Sequence, residues 1–270
     1  MFKSIAYVLK ENFTNMHRII AIAKYEVLAD MRDSKLGLFW NFANPAIQVL
    51  TYWLVFGVIM TGRSDIGGIP YICWLLGGIV VWFYISPCIT NGCNAIYEKR
   101  EIITKMKFPV SILPTTVVLR ELFNHMCLMV IVGVLFAVFG YYPSIYWLGL
   151  IYYTICAVIF SVALSLTTSV LNMMARDTRK LILACMRLLL YLTPVLWNVD
   201  KLNSHPTLKL VMKLNPIHYI VQGYRDCFFY HEGIMSFGVQ TLIFWAETLF
   251  LFVIGSFMIY KFKRRFMDML

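Results

Sequence analysis

The stretch from Ile69 to Ile89, IPYICWLLGGIVVWFYISPCI, contains no charged residue. A helix needs about 20 mostly apolar residues to cross roughly 30 Å of hydrocarbon, and this run supplies them. Hydrocarbon offers the backbone no hydrogen-bond partner, so a segment of this kind must satisfy its own amides and carbonyls as a helix. Comparable runs lie at Leu38–Met60, Leu113–Phe139, Ile145–Leu171, Leu181–Trp197 and Phe237–Tyr260. The reading is an all-α polytopic membrane protein with six transmembrane helices. Composition agrees. Of 270 residues, 60% are hydrophobic and 14% charged, and the mean hydropathy is +0.71. A soluble domain is about half apolar and a quarter charged. The charges here are too few to coat a compact surface, which excludes a water-soluble enzyme, a disordered chain and a disulfide scaffold.

The net charge of +10 is distributed unevenly. Six Lys/Arg precede the first span, four lie in the Cys93–Ile112 loop, three in Asn172–Lys180 and four from Lys261 onward, seventeen in all. The opposite side holds Arg63, Lys201, Lys209, Lys213 and Arg225, while Arg120 and Arg187 fall inside spans. Cytoplasmic loops collect basic residues, so both termini are placed in the cytoplasm. The excess positive charge is assigned to anionic lipid and not to nucleic acid. The seven cysteines form no C-x-x-C pair and read as small core residues. No cleavable leader is evident, and the first span is expected to act as an uncleaved signal.

Three regions follow. Residues 1–37 form a cytoplasmic N-terminus, 38–260 a six-span domain, and 261–270 a basic cytoplasmic tail. Within the first, Met16, Ile20, Ala23, Val27 and Met31 recur at helical spacing over Asn15–Lys35, which predicts an amphipathic helix at the membrane surface or packed on a neighbour. Within the second, the external segment 198–236 is punctuated by Pro206 and Pro216 and contains the partly apolar Ile217–Tyr230. That run is too short to span and suits re-entrant helices before the last span.

Catalytic motifs are missing from the sequence: no G-x-x-x-x-G-K-[ST] phosphate loop, no H-E-x-x-H and no G-x-S-x-G. No catalytic or metal-binding residue is assigned, and any ATP hydrolysis is expected on another chain. The loop 93–112 is the candidate contact with such a chain. Glu98, Lys99, Arg100 and Glu101 form a charged collar, with Ile102, Ile103 and Met106 as apolar knobs. A small apolar anchor inside a polar rim is how interfaces are built, whereas a solvated basic loop at lipid headgroups is the plainer alternative. Arg120 and Arg187 fall at comparable cytoplasmic depths. A pair of guanidinium groups there suits a phosphate or pyrophosphate head, or else Arg120 pairs with its neighbour Glu121 and the two arginines lock helices. Glu247, nearer mid-depth, reads as a packing group. The 16% aromatic content fits interfacial belts or a channel lining equally well.

Four local patterns, from the first span to the last, resemble one family. These are Leu36-Gly37-Leu38-Phe39-Trp40-Asn41-Phe42-Ala43-Asn44-Pro45, Lys107-Phe108-Pro109 with Ile112-Leu113-Pro114, Arg176-Asp177, and Asn215-Pro216-Ile217-His218-Tyr219-Ile220-Val221-Gln222-Gly223-Tyr224-Arg225-Asp226. In their order and placement they resemble the membrane subunits of ABC-2 type polysaccharide exporters, most closely those for wall teichoic acid. The resemblance implies a homodimer bound to two copies of a separate ATPase that holds the ATP and magnesium. Its cargo would be an undecaprenyl-diphosphate-linked polymer. It places a coupling helix at Glu98–Met106, an interfacial helix at Asn15–Lys35, and external gate helices at Pro216–Tyr230, with Tyr219, Tyr224 and Arg225 as gate residues. Exporters of O-antigen, of capsule or of small-molecule drugs are the alternatives within transport. A membrane-embedded transferase using His125 or His218 with Glu121 or Asp226 is the alternative outside it.

Overall fold

The computed structural model describes residues 2–32, 36, 39–59, 65–105, 108–232 and 238–263, without the side chains of 30, 31, 41, 42, 57, 102 and 104. Among these residues every regular element is helical. The axis is α4 (Tyr71–Glu98), whose Leu75, Ile79, Ile85 and Cys88 are all but inaccessible. A helix that is apolar on all faces has no preferred outer side, so it is surrounded. Against α4 pack α6 (Ile112–Val138), α7 (Gly149–Met174, entered through a 3₁₀ turn at Ile145–Leu148), α8 (Asp177–Leu192) and α10 (Pro216–Arg225). The last helix, α11 (Val239–Phe262), packs on α7. Val130, Val134 and Val138 of α6, Ile151 and Ile155 of α7, and Leu242 and Leu249 of α11 stay exposed. Exposed valines and leucines at helical spacing would be a liability in water and are the expected surface toward lipid.

Four helices among the described residues are long and apolar enough to cross a membrane: Tyr71–Glu98, Ile112–Val138, Ile145–Met174 and Val239–Phe262. The other two expected spans differ. Over Leu38–Met60 the regular helix α3 is Phe39–Trp53, followed by a π turn at Leu54–Ile59; Leu38 and Met60 lie outside the described residues. Over Leu181–Trp197 the helix is α8, which begins earlier at Asp177 and stops at Leu192. Pro194 explains the stop. It lacks an amide hydrogen and pushes Thr193 into extended backbone, at ψ 140°. What remains is an amphipathic helix with Leu181, Leu188, Tyr191 and Cys185 on an open face. The other six cysteines are buried.

The amino end folds as two helices where the sequence suggested one. α1 (Phe2–Thr14) buries Val8 and packs on α11, with Tyr7 edge-on to Tyr260 at 5.6 Å. α2 (Met16–Arg32) lies on α6. The face it buries carries Ile19 and Ala23, while Ile20, part of the expected stripe, is 55% exposed. Neighbouring positions on the wheel are thus divided between a protein side and an open side.

After α4 a single turn at Lys99 leads into α5 (Arg100–Lys105). Beyond α8 the chain forms α9 (Pro206–Leu214) and then reverses at Asn215 into α10, each helix started by a proline at a position where a missing amide costs nothing. Asn215 caps α10 by accepting from the Ile217 amide at 2.9 Å. α10 is inserted among α4, α7 and α11, and a π turn at Asp226–Tyr230 follows it. Insertion this close depends on two glycines. A Cβ on Gly78 would sit 2.3 Å from the Arg225 guanidinium, and one on Gly223 would sit 2.2 Å from the Tyr153 ring.

Candidate functional site

Two places hold the charged side chains singled out in the sequence, one at each end of the bundle. The first is where α2, α4 and α6 meet. Glu26 of α2 receives Lys99 from the α4–α5 turn at 2.7 Å and faces Arg120 of α6 at 3.6 Å. Arg120 in turn reaches Glu121 at 2.8 Å. The Glu121 carboxylate also accepts from Asn91 of α4 and from Asn124, both at 3.1 Å. Two cations therefore face two carboxylates across three helices, with Glu121 buried and Arg120 partly open. In a setting of reduced dielectric such a set is stable only while it stays matched, since removing one member strands its partner. Lys99 adjoins α5, so the turn that carries α5 is tied directly to α2 and, through Glu26, to Arg120.

Arg120 and Arg187, expected as a pair of guanidinium groups, have different partners. Arg120 is directed at Glu26 and Glu121, whereas Arg187 lies on the open face of α8, with its Nε 3.3 Å from the Leu183 carbonyl. α8 packs on α4 and α7, and Arg120 belongs to the α2–α6 side.

The expected coupling segment is also rearranged. Ile103 is not a protruding knob. It is 5% exposed and packs in a cluster with Val8, Ala95, Ile96, Val110 and Leu113. The α4–α5 turn rotates α5 so that Ile103 points back into the bundle, which leaves Glu101 and Lys105 at the surface. The side chains of Ile102 and Met106 lie outside the described residues. Glu98 accepts a bond from Asn94, and Arg100 covers the Tyr97 ring at 4.6 Å while donating to the Tyr97 carbonyl. Arg176 approaches the same ring at 5.2 Å, which brings the α7–α8 junction beside the α4–α5 junction.

At the opposite end sit the three expected gate residues, and all are buried. Tyr219 stacks on Phe244 at 4.8 Å, and its hydroxyl lies 3.2 Å from that of Tyr152 and 3.1 Å from Thr241. The Tyr224 hydroxyl meets His125 Nε2 at 3.0 Å and also Thr154. Arg225 is fully enclosed. It donates to the carbonyls of Trp74, Pro194 and Val195 at 3.2, 3.0 and 2.6 Å, and its guanidinium lies 3.4 Å over the Trp74 ring. The carbonyls at Pro194 and Val195 belong to the segment where α8 ends, and Arg225 satisfies them there. Counted in the sequence as a loop cation, it is an interior brace, and the other two are posts that hold α10.

His125 and Glu121, considered above as catalytic partners, are accounted for by Tyr224 and by the Arg120 cluster. His218 and Asp226 lie on α10 and its π turn, away from both. Glu26 and Asn91 escaped the sequence reading. The signal for Glu26 was an acid on a basic amphipathic helix, which gains meaning only opposite a partly buried arginine.

Helices that expose apolar rows, and polar clusters that satisfy one another internally, define a membrane-embedded helical subunit. The chain belongs to the ABC-2 type transporter family, whose profile it matches over residues 17–229. Relatives include the O-antigen export system permease protein RfbA of Myxococcus xanthus, 27% identical over 247 residues, which are 89% of this chain and 94% of the relative. The protein of the same name from Klebsiella pneumoniae is 26% identical over 253 residues, 93% of this chain and 94% of that one. The polymer named in these relatives is O-antigen, one of the alternatives weighed above, and not teichoic acid.

Proposed function

We propose that this chain is the membrane subunit of an ATP-driven exporter of a lipid-linked polysaccharide of the O-antigen kind. The observation that carries the reading is the near end-to-end similarity to O-antigen export permeases, which leaves no large part of either chain unmatched. On that ground an O-antigen-type polymer takes precedence over wall teichoic acid. The subunit acts as a homodimer in a bacterial inner membrane with both termini in the cytoplasm, bound to two copies of an ATPase that supplies ATP and magnesium. The ATPase engages the α4–α5 end, where Glu101 and Lys105 are exposed beside the Arg100 and Arg176 cluster. Movement of α5 passes through Lys99 to Glu26 and Arg120. Arg187, on the open face of α8, meets the diphosphate head of the lipid carrier, to which a guanidinium binds in a bidentate fork.

The test is complementation. The chain is expressed with a candidate ABC ATPase from its own organism in a strain whose own O-antigen export permease is deleted, and surface polysaccharide is measured by immunoblot of outer-membrane fractions. Restored surface polymer that depends on both chains is the expected result. Polymer retained inside the cell, with the chain present in the membrane and bound to its ATPase, overturns the reading.

A further inference from the structure

At the end of the bundle away from α1 and α5, a cavity of about 750 Å³ lies between α10 and the start of α11. His218, Gln222 and Asp226 line it, one helical turn apart along α10 and its π turn, and Lys213, Tyr230 and Glu232 share the wall with them. None of them belongs to the Arg120 cluster or to the gate posts.

The lining mixes polar and apolar surface in near-equal parts, and its charge is nearly balanced. Asp200, also in the wall, is held by Lys209 at 2.9 Å, and that bond keeps its carboxyl below the usual range. Burial pushes Asp226, outside the membrane-spanning helices, up to about 7, which reduces its negative charge near neutral pH. That leaves Lys213 against Glu232. The nearby guanidinium of Arg225 is fully enclosed and committed to three carbonyls. A phosphodiester chain entering this space would find no surplus cation to offset its lost hydration.

Hydroxyl groups suit it better. Gln222 donates to Asp226 at 2.9 Å, which leaves the Gln222 carbonyl oxygen as an acceptor and the second Asp226 oxygen as an acceptor when ionised or a donor when protonated. His218 is 5% exposed, and its Nδ1 has no partner among the described residues. A neutral imidazole with no bond to fix its tautomer can donate from one nitrogen and accept at the other. Tyr230 adds an aromatic ring to the wall. Paired donors and acceptors on planar side chains, beside a ring and without net charge, match the vicinal hydroxyls and C–H faces of a sugar.

We propose that this cavity is a binding site for neutral hexose units of the polymer, with His218, Gln222 and Asp226 as its hydrogen-bonding groups. The proposal rests on the export reading for its side of the membrane, where it receives sugar units as they emerge.

The test uses the full chain in lipid nanodiscs and two probes of equal length, a neutral mannose tetrasaccharide and a glycerol phosphate tetramer, with affinity read by isothermal titration calorimetry. The mannose probe is expected to bind at least about tenfold more tightly than the phosphate probe. His218→Ala and Asp226→Asn should each weaken it about tenfold, the cost of one stranded hydrogen-bonding group. Gln222→Ala, at a partly exposed position, gives the same reading if His218→Ala fails to fold. Equal or tighter binding of glycerol phosphate, no binding of the mannose probe, or unchanged affinity in the variants overturns the site. Normal export in the complementation strain with no sugar binding here would reject this inference and leave the export reading standing.

Discussion

Arg225 and Arg120 carry the same guanidinium and are held in opposite ways. Arg225 is sealed against three backbone carbonyls and a tryptophan ring, partners that cannot move without unfolding helix ends. Arg120 is held by two carboxylates, one on its own helix and one on α2, and stays partly open. Neutral dipoles fixed in the backbone make a permanent joint. A matched set of side-chain charges shared by three helices makes one that can be broken and remade. One end of this bundle is therefore built to stay, and the other has the means to rearrange.

The largest expected effect comes from breaking the permanent joint. Arg225→Ala strands the buried Pro194 and Val195 carbonyls and leaves a void, at a cost of about 4 kcal/mol. Gly78→Ala drives a methyl group into the same guanidinium and should cost about 2 kcal/mol. Thermal unfolding in detergent checks both, and an unchanged midpoint in Arg225→Ala would refute the brace.

Next comes the α5 junction. Ile103→Asp puts a carboxylate into an apolar cluster and should destabilise the chain by about 3 kcal/mol. Glu101→Lys, at the surface, should leave stability within about 0.5 kcal/mol while reducing the ATPase recovered by co-purification. If Ile103→Asp instead unfolds at the wild-type temperature and only ATPase binding is lost, that residue is a docking knob after all.

The breakable joint should give a smaller number. A double-mutant cycle over Glu26→Ala and Lys99→Ala is expected to return a coupling of about 1 kcal/mol, since Lys99 is a third exposed. Coupling that vanishes at low ionic strength would remove the tie between α2 and the α5 turn. Smallest of all is Arg187→Ala. Its stability should stay within about 0.5 kcal/mol, with export of lipid-linked polymer reduced in the complementation strain. Full export by that variant would remove Arg187 from the path.

The parts of the fold legible in the sequence were those in which one term dominates. α4, α6, α7 and α11 declare themselves because hydrocarbon permits no other use for such runs. The bounds of α8 differ from the expected run because Pro194, whose effect on Thr193 is local, ends the helix at Leu192. α1 was missed because its stability comes from Tyr7 and Val8 packing on distant α11, which no local pattern records. At Ile103 a helical wheel shows an apolar residue but not that it faces inward, and the turn at Lys99 decides that. Arg225 read as a loop cation because counting basic residues assumes each one seeks water, whereas the carbonyls freed at the end of α8 offered it a better place inside.

The open face of α8 has a practical side. Of seven thiols only Cys185 meets the surrounding medium, and it lies two positions before Arg187. The native chain thus brings its own attachment point for a maleimide spin label or fluorophore, with six shielded sulfurs giving little background. Distances between the two labels in the proposed dimer, recorded with and without nucleotide on the proposed ATPase partner, would chart how this helix travels through the proposed cycle without a single engineered cysteine.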